Sequence, residues 1–96
     1  MDVRRLLKTK RRDILRIAAE HGAHNVRVFG SVARGDARDD SDVDFLVEFD
    51  PGTSLLTHAD LIVALEDLLG RHVDVAPEKA LKERLRDKVL SEALPL

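Results

Sequence analysis

Ile14, Leu15, Ile17 and Ala18 recur at helical spacing, with Leu7 one heptad before Ile14, and predict a helix from about Val3 to His21. Gly22 suits the left-handed position just past its end. Asn25 to Phe29 reads as a short strand bounded by Gly30. Ser31 to Arg34 is long enough for one helical turn, ended by Gly35, and the polar stretch from Asp36 to Ser41 reads as a loop. From Asp42 to Phe49 the pattern alternates strictly. Val43, Phe45, Val47 and Phe49 fall on one side, and Asp42, Asp44, Leu46 and Glu48 on the other. The Asp50-Pro51-Gly52 turn leads to a helix from about Thr57 to Leu69, whose apolar face is Leu61, Ile62, Leu65, Leu68 and Leu69. His72 to Ala76 is a third strand, with Val73 and Val75 opposite Asp74. Pro77 then opens a last helix to about Ala93, lined by Leu81, Leu85 and Val89.

The predicted order is α-β-β-α-β-α, with the short turn after the first strand. It implies an α/β (α+β) class: a small mixed, mainly three-stranded sheet packed on helices in one domain, residues 1–96. Periodicity leaves the strand order open. The helices around Leu61–Leu69 and after Pro77 are expected to be core elements. Leu90, Leu94 and Leu96 are candidates for a partner or homo-oligomer surface.

Composition narrows the class. The chain has 96 residues, no cysteine, 44% hydrophobic and 35% charged residues, which is globular and without thiolate or disulfide support. Aromatic residues make up 3%, all Phe, so a base-stacking platform for single-stranded nucleic acid is not expected. Apolar runs are too short for a membrane span, and the basic N-terminus lacks the apolar stretch of a signal peptide, which points to the cytoplasm. The net charge of -2 hides a basic first helix, an acidic stretch from Asp36 to Asp50 and a basic tail. The basic helix face is read as solvated surface, with docking of nucleic acid or an acidic partner as the alternative. The four histidines have no metal-ligand spacing.

Asp42 and Asp44 carry the most information. Side chains at i and i+2 of a strand share a face, so the two carboxylates lie side by side, opposite Val43, Phe45 and Val47. Neighbouring carboxylates raise each other's pKa unless a cation lies between them, and Mg²⁺ favours such oxygen donors. Asp74, if its strand is a neighbour, makes a third ligand and suits a two-ion site. A solvated strand face that happens to carry acids is the alternative, although Asp is disfavoured in strands. Gly30-Ser31 follows an apolar strand directly. It allows close approach of an anion, and Arg34 is placed to donate to phosphate; an ordinary strand-to-helix turn with Ser31 as cap is the alternative.

Together, Gly30-Ser31-Val32-Ala33-Arg34-Gly35-Asp36 and Ser41-Asp42-Val43-Asp44-Phe45-Leu46-Val47 resemble the signature of the polymerase-β-type nucleotidyltransferase superfamily. With Leu69-Gly70-Arg71-His72-Val73-Asp74, the closer resemblance is to its minimal nucleotidyltransferase (MNT) domains. That resemblance implies a Mg²⁺-dependent protein adenylyltransferase with ATP as substrate. Asp42, Asp44 and Asp74 would be catalytic and hold two Mg²⁺ ions. Gly30 and Ser31 would hold phosphates and Arg34 would stabilise the departing charge, while Asp36 is a motif residue that would either back the site from behind or partner Arg34 at the helix turn. It further implies an antitoxin that moves AMP onto a tyrosine of a helical HEPN-domain toxin, since little chain remains after Asp74 to bind an acceptor. A non-catalytic antitoxin that neutralises its toxin by occlusion is the competing expectation.

Overall fold

The structure is a computed structural model that describes residues 2–96. Helix α1 spans Val3–Glu20, with the Asp2 side chain accepting from the Arg4 amide at its start. Strand β1 is Ala23–Phe29, short helix α2 is Gly30–Arg34 and strand β2 is Val43–Phe49. Helix α3, Leu55–Leu69, is capped by Ser54, whose hydroxyl accepts from the Thr57 amide. Strand β3 is Val73–Pro77, followed by a 3₁₀ turn at Glu78–Ala80, helix α4 at Glu83–Glu92 and a two-residue strand β4, Leu94–Pro95.

The sheet runs in the order β3-β2-β1-β4. β2 pairs antiparallel with β1 and parallel with β3, so the sheet is mixed. The register brings Val28, Phe45 and Val75 side by side, and Val43 beside Val73. These residues join Leu7, Ile14, Ala18, Leu61, Leu65 and Leu69 in one core, which places the apolar stripes of α1 and α3 against one face of the sheet. Burying such side chains is worth roughly 1.5–3 kcal/mol each, enough to hold a domain this small without cross-links. Among the described residues no helix is long and apolar enough to cross a membrane.

Two side chains of α3 reach the outer edge of β3. His58 Nε2 donates to Val75 O at 2.8 Å, and Glu66 Oε2 accepts from the Val73 amide at 3.1 Å. The His58 ring also stacks at a tilt on Phe49, 5.1 Å between centroids.

Four expectations from the sequence are corrected. The sheet has a fourth strand, β4, paired with β1 through Val28 and Leu94. Asp42 lies just before β2 and not within it. Pro77 closes β3 on the sheet edge, where its missing N–H costs nothing, and α4 begins only at Glu83. Helix α4 has no buried residue, and Leu85 is 47% exposed, so it is not a core element and packs against α2. Leu96 is partly buried and packs on the core.

Leu46 departs from its expected surroundings as well. It shares the Asp44 side of β2, yet it is fully buried and lies outside the main core. The 3₁₀ turn after β3 contacts β2 on this side. Its Glu78 meets Arg27, the strand partner of Leu46, at 2.6 Å. The second face is thus covered at Leu46, while Asp44 and Glu48 on either side of it are only partly buried.

Candidate active site

The site forms where β1 ends and β2 and β3 begin. Phe29 pairs with Asp44, and Asp44 pairs with Asp74 across the parallel ladder. Paired residues of adjacent strands project to one side, so Asp44 and Asp74 stand next to one another. Asp42 enters the same neighbourhood from the loop. Burial, then the charge of Asp74, then that of Asp42 push the Asp44 carboxyl above the ordinary aspartate range, while Arg34 pulls it back. The three charges among those causes, with Asp44 itself, name the cluster: three carboxylates and one guanidinium close enough to feel each other.

Gly30 sits against this cluster. Its φ is +69°, and a Cβ built on it would lie 2.5 Å from Asp44 Oδ2. Any other residue is strained in the backbone here and must displace the Asp44 carboxylate. α2 starts at Gly30 and buries Val32, and no side chain caps its first turn. Ser31 is half-buried beside it. At the other end of α2, Arg34 Nε donates to Asp36 Oδ2 and Arg34 Nη1 to Glu92 Oε2, both at 3.4 Å. These are long, half-exposed contacts that an incoming anion can replace at little cost.

Arg4 is a residue the sequence pattern does not single out. Its Nε donates to Val32 O at 3.0 Å and its Nη2 to Ala33 O at 2.8 Å, which holds the last carbonyls of α2. It is one of several basic residues in a helix, and nothing in their order distinguishes the one that turns inward. His72, by contrast, is 88% exposed and contacts Glu66, away from the cluster.

The donor set fits a hard divalent cation. All three acids offer oxygen, and the space in front of Asp44 Oδ2 is kept free of a Cβ. Among the described residues no three His, Cys, Asp or Glu side chains are drawn together closely enough to hold a metal ion as they stand.

Comparison with known proteins identifies the family. Residues 11–96 match the family described as nucleotidyltransferase domain. The chain is 44% identical over 73 residues to protein adenylyltransferase MntA of Thermococcus cleftensis, covering 76% of this chain and 74% of that protein. It is 40% identical over 84 residues to MJ0435 of Methanocaldococcus jannaschii, provisionally named a protein adenylyltransferase, covering 88% and 90% of the two chains. A solved structure provisionally described as a minimal nucleotidyltransferase superposes with a TM-score of 0.88 at 55% identity, over 100% of this chain and 97% of that one. A crystal structure of a toxin–antitoxin with AMP-PNP shares the fold, with a TM-score of 0.76 at 19% identity, over 88% and 69%.

Proposed function

The chain belongs to the nucleotidyltransferase domain family, and we propose that it is a protein adenylyltransferase that moves AMP from ATP to a tyrosine hydroxyl of a HEPN-type partner toxin, acting as its antitoxin. The observation that carries this reading is the juxtaposition of Asp44 with Asp74 and Asp42 beside a glycine whose side chain would collide with Asp44. The names of the relatives support the reaction, and a toxin–antitoxin neighbour with AMP-PNP supports both the nucleotide and the kind of partner.

Asp42, Asp44 and Asp74 would hold two Mg²⁺ ions. When bound, these supply positive charge to the phosphate oxygens and lower the pKa of the attacking hydroxyl. Gly30 lets the backbone approach the triphosphate, and Ser31 donates its hydroxyl. Arg34 leaves Glu92 and Asp36 for the departing pyrophosphate, where a planar cation stabilises developing charge. Asp74, on the edge strand and exposed, faces the side from which a protein hydroxyl arrives and accepts its proton. The acceptor hydroxyl is supplied by the partner protein.

The test is label transfer from α-labelled ATP with Mg²⁺ to a HEPN-type toxin that forms a complex with this chain. Wild type labels the toxin; Asp42→Ala with Asp44→Ala does not, while its complex with the toxin still forms. An unlabelled toxin in a stable complex with wild type sinks the enzymatic reading and leaves occlusion.

A further inference from the structure

Arg71 lies in the stretch that leads to Asp74, but the chemistry above gives it no part. In the fold it does not reach the carboxylates. Its Nη2 donates to Arg38 O at 3.2 Å and, more closely, to Asp39 O, two carbonyls of the loop before Asp42. Arg38 O also accepts from the Ser41 amide at 3.0 Å, and the Arg38 amide donates to Ser41 Oγ at 2.8 Å. Residues 38–41 therefore form a closed turn with Arg71 attached to it. On the far side of Asp42, the Val43 amide donates to His72 O at 3.0 Å.

Asp42 is thus bracketed. The backbone before it is held by Arg71, and the backbone after it by His72. These two consecutive residues lead directly into β3, which presents Asp74. The placement of Asp42 relative to Asp74 is set by this clasp, because Asp42 itself lies outside the β2 ladder that fixes Asp44. A guanidinium is well matched to the clasp, being permanently charged, planar and able to serve two carbonyls at once.

We propose that Arg71 is a positioning residue for the candidate ion site, holding the 38–41 turn so that the Asp42 carboxylate stays beside Asp44 and Asp74. The proposal rests on the ion-binding reading of those three aspartates. Supporting groups behind a metal ligand typically matter about 10–100-fold to metal affinity or activity.

The experiment is a titration of the nucleotide-free protein with Mn²⁺ alone, followed by electron paramagnetic resonance, for wild type, Arg71→Ala, Arg71→Lys and Gly52→Ala. Gly52 lies in the Asp50-Pro51-Gly52 turn, and a Cβ there meets nothing within 4 Å, so this variant reports general destabilisation only. Arg71→Ala is expected to bind Mn²⁺ about 10–100-fold more weakly. Arg71→Lys should recover part of the loss, since an ammonium can still serve one carbonyl, and Gly52→Ala should bind as wild type does. If the alanine variant does not fold, Arg71→Lys against wild type carries the comparison, with an expected loss of a few fold. Undiminished binding by the folded Arg71 variants overturns the role given to Arg71 while leaving the ion site intact. Equal loss in Gly52→Ala overturns it too, by making the effect one of stability. Absence of Mn²⁺ binding by wild type overturns the ion-site reading and this one with it.

Discussion

Gly30→Ala joins two costs that a second glycine separates. At φ +69° an alanine sits in the left-handed region, which costs about 1–3 kcal/mol. Gly52→Ala, at φ +85° with open space around the new methyl, bears the same kind of cost and nothing else. At Gly30 the added Cβ also meets Asp44 Oδ2 at 2.5 Å, where an ordinary contact begins at 3.4 Å. The backbone of Gly30 is held by β1 and α2, so the Asp44 carboxylate has to retreat by about 1 Å. Misplacement on that scale costs about 100-fold in rate. Total stability for a chain of this length is on the order of 5–14 kcal/mol, so both variants fold. Each kilocalorie lowers the melting midpoint by about 4–8 °C. The expected result is that both variants melt lower by several degrees, but only Gly30→Ala loses about 100-fold in label transfer. Thermal melts followed by circular dichroism, with transfer rates at about 25 °C on the same preparations, decide it. Equal transfer by Gly30→Ala and Gly52→Ala would refute the claim that the absent side chain is what makes room for Asp44.

Three other perturbations follow from the packing and charges. Asp44→Asn should raise the melting midpoint at about pH 7: a carboxyl whose folded pKa is raised holds its proton more tightly in the fold, so stability is lost as pH rises through its titration. The gain should vanish at pH well below the ordinary aspartate value and shrink when Mg²⁺ is added at neutral pH; a gain that persists in acid contradicts it. Leu46→Ala should cost about 2–5 kcal/mol in urea unfolding, as for any core leucine, whereas a solvated strand face predicts a change within about 0.5 kcal/mol. Glu78→Ala should cost about 3 kcal/mol, because it strands Arg27, whose Nη2 is already buried without a partner. Most of that should return in Arg27→Met with Glu78→Leu, and a double variant as unstable as the single one argues against the pair.

What the sequence revealed and what it hid divide along physical lines. α1, β1, β2, α3 and β3 were legible because each buries one face and so repeats at helical or strand spacing. Asp44 and Asp74 were legible because an acid in a strand opposes that pattern. β4 was not, since two exposed residues, one of them proline, carry no period. Leu46 looked half-solvated because its cover, the Glu78–Ala80 turn, comes from elsewhere in the chain. The stripe expected from Leu81, Leu85 and Val89 does not form one buried helix face, since Leu81 precedes α4 and no residue of α4 is buried. Arg4 and Arg71 were hidden for a shared reason. Their partners are backbone carbonyls of remote turns, and a carbonyl has no letter in the sequence.

The contacts that His58 and Glu66 make with β3 have a consequence for the life of the chain before it is folded. A strand edge with unpaired amides and carbonyls recruits strands of other molecules. Here that edge is occupied at Val73 and Val75, but by side chains of α3, which lies between β2 and β3 in the chain. The sheet is therefore shielded only after α3 docks. Until then β3 is an open template of valines beside a growing sheet, and refolding should lose yield as protein concentration rises. His58→Ala with Glu66→Ala would prolong that exposure and turn a folding hazard into visible self-association.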